Sequence, residues 1–297
     1  MNNLFIFLTV KQNVFSKLSE YFSFSFVRYA FIVAILISLC SALLGVSLVL
    51  KRYSMIGDGL SHVAFGAGAV SAVVGVAGMT LTLPVTVVTA IFLLKSGGRK
   101  KIMGDAAIAM LSAGALAMGY LLLNITNTSS SNLSGDVCTS LFGSTSILTL
   151  SRSDVNLCFV LCAAVILFFV LCYNRMFSLT FDERFAGATG INVGLYNLLT
   201  AIITATVIVV GMKLAGALLI SALIIFPPMA AMRICKSYRS VILTSALISV
   251  FCAFTGLILA VLYETPVGAS IVCVNLCALI FFSLLGFLKK KIRNTEI

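Results

Sequence analysis

The chain has 297 residues, of which 61% are hydrophobic and only 10% are charged. Soluble proteins carry about a quarter charged residues, so this composition excludes an ordinary soluble enzyme and predicts a membrane protein with several spans. The net charge of +11 does not indicate nucleic-acid binding, because the basic residues cluster in short segments between apolar runs. The nine scattered cysteines predict packing residues and no disulfide framework.

Residues 1–26 are predicted to form an interfacial extension, because Lys11 and Lys17 interrupt its apolar stretches and no small-residue cleavage site follows. Residues 27–288 are predicted to form the transmembrane domain, and 289–297 a basic cytoplasmic tail. A spanning helix needs about 20 apolar residues. The candidate spans are 27–50, 56–78, 80–96, 105–123, 155–173, 195–212, 214–232, 240–262 and 266–288. A count of eight stays open beside nine, because the third span is short and little more than Lys213 separates the sixth from the seventh.

The basic loops predict the orientation of the spans. The basic residues at 51–52, 99–101, 175 and 184, 233–239 and 289–293 all follow odd-numbered spans, which places them and the C-terminus in the cytoplasm. The basic residues of the N-terminal segment argue against the resulting outside position of the N-terminus.

The segment Gly57–His62, at the start of the second span, holds the strongest candidate site. Asp58 and His62, the only histidine, are four residues apart, so a helix presents both on one face. Both are unfavourable in hydrocarbon and should face the protein interior or a water-filled path. A carboxylate oxygen with an imidazole nitrogen suits zinc or manganese. An acid near the membrane surface beside a hydrogen-bonded core histidine is the alternative, and the spacing leaves both open. Counted as helix from Arg52, His62 would lie about 15 Å deep.

Three further features are candidates for function. Asp105 opens the fourth span and is either a helix N-terminal acid or a residue of the metal path. The polar stretch 178–193 is either a loop or a short helix–turn–helix that docks on a cytoplasmic partner; its candidate contact residues are Asp182, Glu183, Ala186, Gly187 and Gly190. Pro227 and Pro228 lie in the seventh span, where they mark a hinge or a static kink.

Some motifs are missing from the sequence. It contains no G-x-x-x-x-G-K-[ST] phosphate loop, no H-E-x-x-H motif and no second histidine. We therefore do not expect this chain to hydrolyse ATP, or to run histidine-based hydrolysis alone.

Taken together, five segments resemble the permease subunits of bacterial zinc/manganese-type ABC importers. They are GDGLSHVAFG at 57–66, LFGS at 141–144, the element at 181–193, GALLISALIIFP at 216–227 and PVGASIV at 266–272. The segments occur in the family's order across about 30–288, although Ser144 stands where the family usually has Asp.

The resemblance implies an all-α bundle of the vitamin-B12/iron-siderophore permease type, in the bacterial inner or plasma membrane. It implies a permease subunit rather than an enzyme, importing zinc, or manganese or iron by the same mechanism, with no permanently bound cofactor. Asp58 and His62 would line the metal path, and 178–193 would contact the ATPase. The implied partners are a separate ATPase subunit, an extracytoplasmic metal-binding protein, a second permease copy and membrane lipid. Two rival classes are an intramembrane metalloenzyme and a non-catalytic membrane receptor or assembly subunit.

Overall fold

The computed structural model describes residues 21–76, 78–96, 103–126 and 150–295, and these ranges contain helices and no strands. The predicted extension up to residue 20 and the LFGS segment at 141–144 lie outside the described residues. The helices are α1 Ser25–Leu50, α2 Ile56–Val74, α3 Gly78–Ser96, α4 Met103–Thr126, α5 Arg152–Phe181, α6 Glu183–Ala188, α7 Val193–Ala215, α8 Ala217–Ile234, α9 Tyr238–Tyr263 and α10 Val267–Thr295.

Each of the nine predicted spans coincides with one long helix, and α6 is the additional short one. Seven of the long helices (α1, α4, α5, α7, α8, α9 and α10) are long and apolar enough to cross a membrane. The other two are α2, which carries the Asp58/His62 pair, and α3, whose apolar part is the shorter Gly78–Leu94. The predicted all-helical, multi-span bundle is therefore confirmed, with nine as an approximate count.

Two helices continue seven or eight residues past the predicted ends of their spans. Helix α5 runs to Phe181, eight residues beyond the predicted end at 173, and α10 runs to Thr295 instead of ending at 288. The reason is that an apolar run marks where a helix is embedded in lipid, not where its backbone hydrogen bonds stop. The first residues of the predicted 178–193 element therefore belong to α5.

Helices α1, α7 and α8 form the interior of the bundle, whereas α4, α5 and α10 expose most of their surface. Helix α8 packs against α1, α2, α7, α9 and α10. Helices α1 and α9 are joined at depth by the Ser249 hydroxyl, which donates to the Ser38 carbonyl at 2.9 Å. Small polar residues permit such close helix contacts in membranes.

Glycine brings α2 close to α4. A Cβ atom on Gly66 would lie 2.6 Å from the carbonyl oxygen of Ala115, so any larger residue would push the two backbones apart. This contact fixes the position of α2, the helix that carries Asp58 and His62, against its neighbour.

A tight turn connects α1 to α2. The Tyr53 amide donates to the Leu48 carbonyl at 2.9 Å, and the Arg52 amide donates to the Val49 carbonyl at 3.0 Å. This is the Schellman pattern of helix termination. Arg52 occupies its left-handed position, with φ of 65°, where glycine is the usual residue.

Candidate metal-transit site and coupling segment

Asp58 and His62 lie one turn apart at the start of α2. The Asp58 Oδ1 and His62 Nε2 atoms are 3.5 Å apart, and the side chains are 34% and 15% exposed, respectively. That separation is longer than an ordinary hydrogen bond. Two ligand atoms on one zinc ion, each about 2.1 Å from it in tetrahedral geometry, lie about 3.4 Å apart. The spacing therefore suits two ligands that share an ion.

The second ring nitrogen of His62, Nδ1, is unpartnered within the described part of the chain. Nδ1 is buried and makes no hydrogen bond among the described residues, an arrangement that costs about 1–3 kcal/mol. The alternative interpretation, a core histidine hydrogen-bonded through its other ring nitrogen, stays a prediction beside the metal-ligand interpretation.

The described residues place no third protein ligand beside the pair. Among the described residues no group of three His, Cys, Asp or Glu side chains is placed to hold a metal ion. The remaining coordination positions of an ion would need water, backbone oxygens or another chain, which favours weak transit over tight storage. Asp105 is the third residue of α4, but its side chain lies outside the described part of the chain, so its role on the path stays a prediction.

The helical path from the α1–α2 turn to His62 is shorter than the sequence estimate assumed. The estimate of about 15 Å counted helix from Arg52, whereas residues 51–55 form the α1–α2 turn and α2 begins at Ile56. His62 is six residues into α2, about 9 Å along the helix.

The 178–193 element forms the end of α5, the short helix α6 and the start of α7. Asp182 is the N-cap of α6, and its Oδ1 accepts hydrogen bonds from the amides of Arg184 and Phe185 at 2.9 and 3.0 Å. Asn192 caps α7 in the same way by accepting from the Leu195 amide at 3.2 Å. The element therefore contains one short helix and a turn, and the start of the long helix α7 takes the place of the predicted second short helix; polar residues cap both α6 and α7.

Two other predicted contact residues face the chain itself. Ala186 is fully buried and packs with Leu179 and Tyr196. The carboxylate of Glu183 accepts a hydrogen bond from the Lys51 ammonium at 2.9 Å. Both contacts hold α6 against the membrane helices.

Gly187 and Gly190 are exposed, and Gly190 has a φ of +84°, which favours glycine. The outer surface of α6 also includes Arg184 and Phe185, the latter 61% exposed. Sequence reasoning missed Phe185. The sequence does contain a signal for this residue, because an aromatic side chain stands beside charged residues in a segment outside the apolar runs.

Pro227 and Pro228 lie buried inside α8, which continues as one helix from Ala217 to Ile234. Gly45 of α1 packs directly on this region, since a Cβ there would lie 3.0 Å from Pro228 Cγ. The prolines thus sit at a helix contact in the bundle interior, and their role as a hinge stays a prediction.

Comparisons with known proteins agree on one family. A family model described as the ABC 3 transport family matches residues 23–286, most of the chain. The manganese transport system membrane protein MntC of Halalkalibacterium halodurans is 28% identical, covering 88% of this chain and 88% of that protein. The high-affinity zinc uptake system membrane protein ZnuB of Haemophilus influenzae is 26% identical, covering 89% and 97%.

Two solved structures share the fold. The structure of PsaBC from Streptococcus pneumoniae in complex with Fab has a TM-score of 0.77 at 25% identity, covering 90% of this chain and 94% of that one. An inward-facing conformation of a putative metal-chelate type ABC transporter has a TM-score of 0.65 at 17% identity, covering 90% and 85%. The second likeness concerns the fold alone.

Proposed function

This chain belongs to the ABC 3 transport family, as the permease of a metal importer of the ABC class, and we propose that the ion it conducts is zinc. It is a multi-pass protein of the bacterial plasma membrane. The observation that carries the zinc proposal is the pair of Asp58 Oδ1 and His62 Nε2 at 3.5 Å. A site of one oxygen and one imidazole nitrogen binds zinc more strongly than manganese or iron by the Irving–Williams order.

The pair would act as a polar stop for an ion that has left water. The Asp58 carboxylate offsets part of the ion's charge, and the His62 nitrogen adds a neutral ligand. Both reduce the unfavourable transfer of a divalent cation into the membrane interior. With two protein ligands the ion is held weakly and leaves readily, as transport requires. The direction of transport must come from two protein states that differ in access to the site and in affinity for the ion. Binding with equal affinity to both states would not change their populations.

The partners follow from the surfaces that the chain leaves open. A separate ATPase chain would bind the exposed side of α6, where Arg184 and Phe185 lie. A second permease copy would complete the metal path, which is supported by the one-third exposure of the Asp58 side chain and the exposed surface of α4. An extracytoplasmic metal-binding protein would deliver the ion at the outer mouth.

Manganese is the second candidate, favoured by the 28% identity to a manganese transport system membrane protein over 88% of the chain. The metalloenzyme alternative has less support, because the described residues add no third ligand to the pair.

The experiment compares uptake of labelled zinc and manganese, each alone and in competition, by vesicles containing this chain with its ATPase and binding protein. Asp58→Asn removes the charge at nearly constant size, and His62→Ala removes the imidazole. Asp154→Asn is the matched control, because Asp154 is an acid in the first turn of another helix, α5, held by a capping box with Ser151.

We expect at least a tenfold loss of uptake per assembled complex in each single variant and no loss in the control. Membrane insertion should persist, since removing a polar group from a span does not oppose it. The double variant should lose less than the two single losses combined, because the residues serve one site. Normal uptake per complex of both metals in both single variants would remove the pair from the path. Preferred uptake of manganese in competition would show that manganese, and not zinc, is the transported ion.

A further inference from the structure

The end of α1 is tied to the coupling segment by three buried or half-buried polar side chains. Lys51 follows the last residue of α1, and its Nζ donates to Glu183 Oε1 of α6 and to Asn197 Oδ1 of α7, both at 2.9 Å. Asn197 Nδ2 in turn donates to Glu183 Oε1 at 3.3 Å. Each member contacts the other two, so the three side chains form a closed triad across three helices.

The triad does not release Lys51 easily. The Lys51 side chain is only 8% exposed, whereas Glu183 is 39% exposed. Burial lowers the pKa of Lys51, and the adjacent Glu183 carboxylate opposes that shift. A buried ammonium that loses its carboxylate partner is strongly unfavourable. A displacement of α6 is therefore expected to carry Lys51 with it rather than to break the pair.

A short, hydrogen-bonded stretch of backbone joins Lys51 to the Asp58/His62 pair. The Schellman turn that starts at Lys51 leads directly into α2, where the Gly59 amide already donates to the Met55 carbonyl at 3.0 Å. Asp58 is only seven residues beyond Lys51. A displacement of Lys51 therefore reaches the first turn of α2 through hydrogen-bonded backbone.

We propose that the triad of Lys51, Glu183 and Asn197 is the contact through which motion of α6 reaches the metal-transit helix α2, with Lys51 as its positioning residue. This inference rests on the proposed function, because α6 must be moved by an ATPase. Because its side chain is only 8% exposed, Lys51 would contact neither the ion nor the ATPase directly. Its replacement should separate ATP hydrolysis from ion movement, which a merely structural role would not do.

The test measures assembly, ATP hydrolysis and zinc uptake of the reconstituted complex. Lys51→Met removes the charge and keeps most of the apolar stem. Glu183→Gln, the second variant, removes the opposite charge at constant shape. The exchange Lys51→Glu with Glu183→Lys restores a pair of reversed polarity, and Asn197 can serve it because its amide both donates and accepts. Lys236→Met is the matched control, since Lys236 is an exposed lysine of the α8–α9 link.

For both single variants we expect at least a fivefold fall in zinc transported per ATP hydrolysed, and Glu183→Gln should also lower the yield of assembled complex, because it leaves the buried Lys51 ammonium without its carboxylate. The charge exchange should return this ratio to within twofold of the wild-type value, and Lys236→Met should leave it unchanged. An unchanged ratio in Lys51→Met and Glu183→Gln overturns the inference, whether or not the yield falls. If the wild-type complex itself shows no ATP-driven metal uptake, the proposed function is wrong and the inference falls with it.

Discussion

The N-cap of α6 offers a sharp test of how the coupling segment is built. Asp182 Oδ1 accepts from two amides, those of Arg184 and Phe185, at 2.9 and 3.0 Å. Replacing an N-cap Asp by Ala costs about 1 kcal/mol. Helix α6 has only six residues, which is too few to be stable alone. The lost capping energy should therefore shift the equilibrium between the folded and the locally opened α6 toward the opened form. About 1 kcal/mol raises the opened fraction roughly fivefold.

Hydrogen exchange of the peptide that contains α6, read by mass spectrometry, measures this opening. Asp182→Ala should speed exchange about fivefold and weaken co-purification with the ATPase. Asp182→Asn keeps the capping oxygen and should stay near wild type in both measurements, because Asn is as good an N-cap as Asp. If the Asn variant loses the ATPase as fully as the Ala variant while its exchange stays slow, the Asp182 charge contacts the partner directly and the capping argument is refuted.

Two further predictions concern the coupling segment and the orientation. Ala186→Leu should lower the stability of the packing with Leu179 and Tyr196 by about 1–3 kcal/mol through overpacking and impair co-purification of the ATPase. Unchanged co-purification and uptake would mean that the segment has no coupling role. The orientation can be tested in a background without native cysteines. A cysteine at Ser130 should react with an impermeant thiol reagent added outside, and one at Lys291 should not. The opposite labelling pattern would reverse the orientation and move the coupling role to another loop.

The sequence alone was sufficient for the elements that depend on local pattern. Long apolar runs predicted the nine long helices, because in lipid every backbone polar group must be satisfied within its own helix. The i,i+4 spacing predicted that Asp58 and His62 share a face, and their side-chain atoms indeed lie 3.5 Å apart. Both inferences need only the geometry of one helix.

The end of α5 shows where local pattern stops being sufficient. The apolar run ends near residue 173, but the helix continues to Phe181. Hydropathy predicts which residues lie in lipid. The end of this helix is set instead by Asp182, which leaves the helical conformation and caps α6.

Only the tertiary structure decided what the polar side chains of the coupling segment and the α1–α2 turn contact. In the sequence, Lys51 is one of several basic residues at a predicted cytoplasmic loop. In the fold it is buried against Glu183, 132 positions later, and against Asn197. Ala186 and Glu183 were predicted as contacts for an ATPase, which stays a prediction; within the fold, Ala186 packs with Leu179 and Tyr196, and Glu183 pairs with Lys51. Such pairings depend on how distant helices pack, and neither hydropathy nor helical spacing carries that information.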